Sequence, residues 1–312
     1  MSTVDMNEFL GSDVLNYDWD TKATEEMTKS PTSFVDETFW NPDKKNPNTY
    51  VIRFIPDART KMNWISINTH NITHFPNGER KFFFGNCIST KTKQSSSCPI
   101  CKYGWGLWRT KIKANQEKAK DGGWTPKQEW ISNILVIRDP VNPENNGKVF
   151  KFRYGSTIFK LIEKRLKPDD AAKSDIDFKE FNPFNPMTGA NLKLVVNMTE
   201  STRGGKPVSY PDYKQSRFYD QQTPISESKD QIIETLSKSY NLEEYINSLN
   251  YLTNDVINNE VGYIINTAKF DDVVTDNNPQ VVNNNTTSVV NKVANNEVDK
   301  LDEDEMMFIK GV

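Results

Sequence analysis

Residues 70–101 read HNITHFPNGERKFFFGNCISTKTKQSSSCPIC and hold both histidines and all three cysteines of the 312-residue chain. A Cys-x-x-Cys puts two sulfurs on one tight loop, where both reach a single ion. A third sulfur and an imidazole upstream complete the four-coordinate shell of a structural zinc site. The spacing is His74-x12-Cys87-x10-Cys98-x2-Cys101. His74 is the expected histidine because it precedes Phe75-Pro76-Asn77-Gly78, a turn that folds the strand Lys81–Asn86 back toward it and brings Cys87 to the same end of the hairpin. His70 is the competing ligand. A disulfide is the rival chemistry, but an odd cysteine count leaves one thiol over, and Met1 to Leu10 is acidic rather than a basic-then-apolar signal. A thioredoxin-like pair would need a βαβ pattern around the Cys-x-x-Cys, and none surrounds it. The expectation is one structural Zn2+ in a reducing cytoplasm.

Outward from this hairpin, Thr49–Ile55 reads as a strand ended by Pro56, and Met62–Ile72 as the hairpin's first arm. Past the basic loop 89–97, a helix is expected over 103–120, with Trp105, Leu107, Trp108 and Ile112 on its inner side. The clearest strand is Glu129–Arg138, followed by a turn through Asn145-Asn146-Gly147. Lys148–Tyr154 then alternates Val149, Lys151 and Arg153 against Phe150, Phe152 and Tyr154, one face largely basic and the other aromatic. An amphipathic helix over 155–167, a strand over 191–198, a turn at Arg203-Gly204-Gly205-Lys206 and helices near 229–239 and 242–252 complete an α+β chain with a mainly β core. The domain reading is a flexible arm over 1–48, a core over 49–255 with a zinc subdomain at about 62–128, a linker over 256–296 and an acidic tail over 297–312. Eight asparagines in the 22 residues 276–297 mark the linker as low-complexity.

The net charge of −3 hides a segregation. Residues 51–220 carry 29 Lys/Arg against 16 Asp/Glu, a balance of +13, between flanks of −6 (4 against 10, residues 1–50) and −10 (6 against 16, residues 221–312). A basic middle between acidic ends points to a polyanion-binding core whose flanks can compete for the same surface. No run approaches the ~18 apolar residues of a membrane span.

Aromatics beside cations on short antiparallel strands suit single-stranded nucleic acid, since bases stack on rings whatever their identity and cations track the phosphates. Trp130, Phe152, Tyr154, Tyr210 and Tyr213 are the candidate platforms. Arg53, Lys111, Lys113, Lys151, Arg153, Lys214 and Arg217 are their cationic partners. Enzyme signatures are absent from the sequence: there is no phosphate-binding Gly-rich loop, no Gly-x-Ser-x-Gly elbow and no His-Glu-x-x-His. A duplex-binding regulator and a zinc-dependent nucleic-acid modifier are the alternatives. The first lacks an evident recognition helix, and the second lacks the His-x-Glu partner and an open coordination position.

The order Val51-Ile52-Arg53-Phe54-Ile55-Pro56, His, Cys, Cys-Pro-x-Cys, Asn133 to Pro140, then Pro143 to Gly155 resembles the single-stranded DNA-binding, helix-destabilising proteins of T-even-like bacteriophages. The resemblance covers about residues 48–255 and is most specific over 133–155. It implies an OB-fold core with a zinc subdomain, no catalysis, self-association along single-stranded DNA, and an acidic tail that recruits phage replication and recombination proteins. It places such a protein at replication forks in the infected host's cytoplasm. By resemblance the zinc ligands are His74, Cys87, Cys98 and Cys101, the cleft residues are Arg53, Trp130, Phe152, Arg153, Tyr210 and Tyr213, and Asp299, Asp302, Glu303, Asp304, Glu305 and Phe308 belong to the recruiting tail. The N-terminus departs from the family: Met1 to Leu10 lacks the Lys/Arg-Ser-Thr motif that docks neighbouring subunits.

Overall fold

The computed structural model describes residues 36–203 and 206–267. The chain divides into two units, 1–38 and 39–312. Of the first, only residues 36–38 are described, where Asp36 accepts from the Thr38 N–H at 3.0 Å.

Strand β4, Lys127–Arg138, is the hub. Its twelve residues are long enough to serve two partners on one edge. Ile131 to Lys127 pair with β2 (Ile65–His74) from Ile65 to Thr69, and Arg138 to Asn133 pair with β1 (Asn48–Ile55) from Val51 to Ile55. On its other edge Trp130 to Leu135 pair with β5 (Val149–Tyr154). All these ladders are antiparallel, and the sheet runs β3-β2-β4-β1-β6-β7, where β3 is Lys81–Asn86, β6 Leu192–Arg203 and β7 Lys206–Asp212. A short β8, Arg217–Phe218, pairs with β6.

β1 is buried from Tyr50 through Ile55, as a β-branched and aromatic strand between two neighbours should be. Ile52, Phe54, Trp130, Ile134, Phe152, Tyr154, Leu192 and Leu194 build the main core. Helix Ser156–Leu166 closes it with Ile158 and Ile162, one turn apart, while its Phe159 ring lies flat on Trp130 (4.2 Å, 8°). Burying each such side chain contributes ~1.5–3 kcal/mol, more than a typical net hydrogen bond. A second core, of Ile72, Phe83, Ile100, Tyr103, Trp105, Leu107 and Trp124, surrounds the three cysteines.

Three expectations change. The helix foreseen over 103–120 is two helices, Pro99–Arg109 and Lys113–Asp121. Between them Lys111 adopts φ 55°, and the Thr110 hydroxyl donates to Leu107 O (2.7 Å) and accepts from the Ile112 N–H and the Asn115 amide. The threonine side chain thus takes over backbone bonds that would have continued the helix, and Ile112 swings out to 57% exposure instead of facing inward. The helix foreseen over 242–252 stops at Ser248. The start of the foreseen linker is instead helix Asn254–Ile265, capped by Thr253, whose Ile257 and Val261 are buried against the cysteine core. Among the described residues no helix is long and apolar enough to cross a membrane.

Candidate metal centre and nucleic-acid surface

The hairpin register decides which histidine meets the cysteines. β2 and β3 pair His74 with Lys81 and His70 with Gly85, and the same register carries Cys87 to Asn68, whose carbonyl accepts the Cys87 N–H at 2.8 Å. Both arms lead away from the turn, so Cys87 ends two residues from His70. His74 lies about 13 Å further along the strand, four residues at ~3.3 Å each. Cys98 caps helix Pro99–Arg109, with Pro99 at its first position and Cys101 in its first turn.

The ligand atoms of His70, Cys87, Cys98 and Cys101 all lie within 4.8 Å of one another, and the four residues are buried. His70 Nε2 is 3.6 Å from Cys98 Sγ and 3.4 Å from Cys101 Sγ, and Cys87 Sγ is 3.5 Å from Cys101 Sγ. A tetrahedral ion at ordinary Zn–S and Zn–N lengths spaces its ligands about 3.6–3.8 Å apart, so the set fits one ion of that kind. A disulfide needs sulfurs at ~2.05 Å, and all three cysteines are free. His74 is therefore replaced by His70 in the ligand set. His74 instead has its Nδ1 3.1 Å from the Tyr263 hydroxyl of helix Asn254–Ile265.

Supporting groups orient the cluster. Nδ1–H of His70 donates to Gly123 O at 3.4 Å, which turns Nε2 toward the sulfurs. Gly123 has φ +76°, and a Cβ there would sit 1.9 Å from Asn71 O, so only glycine lets this carbonyl approach β2. Cys87 Sγ also lies 3.0 Å from the Ser89 hydroxyl. Burial opposes a charged His70, but hydrogen bonds to the sulfurs of Cys87 and Cys98, and their charge, outweigh it and raise the imidazole to about 9. Hydrogen bonds with Cys101 and Cys98 hold Cys87 far below the thiol range, while the contact with Cys87 pushes Cys101 up. The charged imidazole thus offsets the Cys87 thiolate, and a metal ion bound here would displace the protons of His70 and Cys101 and take over that role.

The nucleic-acid candidates separate into two groups. Arg53 is fully buried: its Nη2 donates to Asn185 O (2.9 Å) and Thr223 O (2.8 Å), and burial lowers its pKa to about 10. Trp130 and Phe152 are core residues, Phe152 meeting Trp40 edge-on (5.3 Å) and stacking on Tyr154 (5.5 Å). Tyr154 is buried as well, its hydroxyl 2.8 Å from that of Ser132. Lys151 is buried with its ammonium over the rings of Tyr245 (3.9 Å), Phe39 (4.4 Å) and Tyr240 (5.6 Å). The basic face foreseen on β5 is thus covered by rings from distant segments. These five leave the candidate surface. Arg153 is half-buried, 3.9 Å from the Glu129 carboxylate and donating to the Tyr245 hydroxyl at 3.4 Å, and Tyr213 is half-buried against the core.

Lys111, Lys113, Tyr210, Lys214 and Arg217 remain exposed. Lys113 is 3.9 Å from Glu117 and Lys214 3.9 Å from Asp212, exposed pairs of little weight that a phosphate can displace. Phe82 and Phe84 on β3, read in sequence only as strand, are also exposed. Their signal was the alternation around Phe83, the inward ring. The tail residues Asp299, Asp302, Glu303, Asp304, Glu305 and Phe308, residues 1–35 of the foreseen arm and the Asn-rich stretch from 276 lie outside the described residues, whereas Phe39 and Trp40 of that arm are not flexible flank but pack into the core.

Comparison with known proteins assigns the chain to a family. A family model described as gp32 DNA binding protein like matches residues 46–265, which takes in the hub strand, the metal cluster and helix Asn254–Ile265. A single-stranded DNA-binding protein of Enterobacteria phage T2 is 29% identical over 172 residues, 55% of this chain and 50% of that protein. The protein of the same description from Enterobacteria phage T4 is 27% identical over 223 residues, 70% of this chain and 66% of that one. The matches thus span half to about two thirds of these relatives' lengths. The chain belongs to the gp32 DNA binding protein like family.

Proposed function

We propose that this protein binds and coats single-stranded DNA, without catalysing a reaction on it, during phage DNA replication, recombination and repair in the infected bacterium. The observation that carries the reading is the family match over residues 46–265, joined to two phage relatives named single-stranded DNA-binding proteins. The balance of +13 over residues 51–220 supports it. Lys111, Lys113, Arg153, Lys214 and Arg217 track the phosphates, and Tyr210 and Tyr213 stack on bases. The strands around β1 and β4 act as an OB-type core. His70, Cys87, Cys98 and Cys101 hold one structural zinc, whose charge stabilises the buried thiolates. Four protein ligands leave no open position for a reacting water.

The acidic tail, Asp299 to Phe308, recruits phage replication and recombination proteins and competes with DNA for the basic surface. Self-association along the strand belongs to the same reading. The test compares homopolymer single strands with duplex across a salt series. Log affinity for the single strand should fall with log salt at about −0.7 per phosphate contact. Deleting residues 297–312 should raise affinity, more at low salt than at high. Duplex bound as tightly as single strand would overturn the reading.

A further inference from the structure

The outer face of the metal hairpin carries two bare phenylalanines. On β3 the side chains alternate: Phe83 packs into the cysteine core, whereas Phe82 is 65% and Phe84 60% exposed on the opposite face. Two residues apart on a strand, their Cβ atoms are about 6.6 Å apart on one face. Their cross-strand partners are Thr73 and Asn71, too small to cover a ring. The same face of β2 is covered further along, where Ile65 and Ile67 pack against Leu242 and Ile246 of the helix Leu242–Ser248 and Leu249 just after it. That cover stops before Asn71, which is exposed.

A pair of exposed rings on an edge strand invites aggregation unless something occupies it. The charge of the segment that bears the rings says what does. Residues 61–127 carry 12 Lys/Arg against 3 Asp/Glu. The Arg80 guanidinium stands 4.7 Å over the Phe82 ring, and Lys81 beside it is exposed. A ligand that is flat and apolar on its faces and anionic along its backbone matches both features. We infer that Phe82 and Phe84, flanked by Arg80, form a base-stacking platform for single-stranded nucleic acid. β3 and β7 are the two ends of the sheet path, so this platform and Tyr210 on β7 are separate surfaces. The inference rests on the single-stranded DNA reading and assigns it a further contact.

The test measures oligo(dT) affinity at two salt concentrations for wild type, the Phe82→Ala/Phe84→Ala double variant and Arg80→Ala, with melting temperatures as a fold check. A 5-iododeoxyuridine oligonucleotide photocrosslinked to wild type reports the contact directly. The expected result is about fivefold or greater weakening in the double variant, at unchanged salt slope and melting temperature, with crosslinks in the peptide spanning residues 81–91. Arg80→Ala should weaken binding and flatten the slope. Wild type that binds normally while the double variant binds equally well, with crosslinks elsewhere, overturns the platform and leaves the wider reading standing. A double variant that binds one oligonucleotide normally but loses self-association makes the face a protein contact and also overturns it. Wild type that fails to bind any single strand removes both readings together.

Discussion

Phe152 separates a core ring from a stacking ring by a pair of substitutions. Its side chain is 3% exposed, edge-on to Trp40 and stacked on Tyr154. Truncating a buried phenylalanine to alanine costs ~3–5 kcal/mol, of which aromatic pairing accounts for about 0.5–1.5 per partner. A domain of ordinary stability, ~5–15 kcal/mol, survives this with little margin. Phe152→Leu keeps most of the volume and should cost less than about 1.5 kcal/mol. A ring that stacks on a base behaves differently, since leucine forfeits the stacking, ~1–3 kcal/mol or about 5- to 150-fold in affinity. Urea unfolding and oligo(dT) titration on the two variants decide the matter. The core assignment expects a large loss of stability in Phe152→Ala, a small one in Phe152→Leu, and wild-type affinity in Phe152→Leu. A well-folded Phe152→Leu that binds DNA at least about fivefold more weakly would refute it.

Three other substitutions test the register and one buried carboxylate. His70→Ala should lose the metal, read by elemental analysis of protein purified without chelator, while His74→Ala keeps it; the reverse pattern would return the ligand to His74. Asp139 is held below its ordinary value of 3.8: burial pushes it up, but bonds from Trp40 Nε1 (2.8 Å), the Asn142 and Val141 N–H groups and the Asn145 amide outweigh burial. Because the folded value is depressed, its stabilising contribution is fully present above pH 3.8 and drains away as pH falls through the lower folded value. The stability gap between wild type and Asp139→Asn should therefore narrow as pH drops below 3.8, and a gap that stays constant would show that the carboxylate's charge is not what the bonds hold.

How much of this was legible in the sequence depended on the range of the interactions. β3 was readable to the residue, because the turn, the aromatic run and the cysteine lie within one short stretch. The three cysteines announced a metal set through spacing alone. The histidine did not, because proximity to the turn was the wrong measure. The pairing of His74 with Lys81 already implied that Cys87 would lie opposite Asn68, nearer to His70. The cations of β5 were misread for a different reason. Alternation reports two faces but not what covers them, and the rings that cover Lys151 come from positions 39, 240 and 245. Arg53 likewise has partners at 185 and 223, beyond any local pattern.

The aromatic enclosure of Lys151 also bears on where the chain can be trimmed. Phe39 arrives from one end of the described region and Tyr240 and Tyr245 from the other, so both ends meet over a single ammonium on β5. A fragment that starts after Phe39 or stops before Tyr245 strips away part of that enclosure and leaves a buried cation short of its compensation, a far larger defect than the loss of a surface residue. Asp57, just past β1, sets a nearby boundary, since its carboxylate accepts the Leu242 N–H at 3.0 Å. The C-terminal boundary lies further on, because helix Asn254–Ile265 covers the cysteine core, so the shortest self-sufficient piece runs from before Phe39 through Ile265, and proteases that work inward should stall before Phe39 and after that helix.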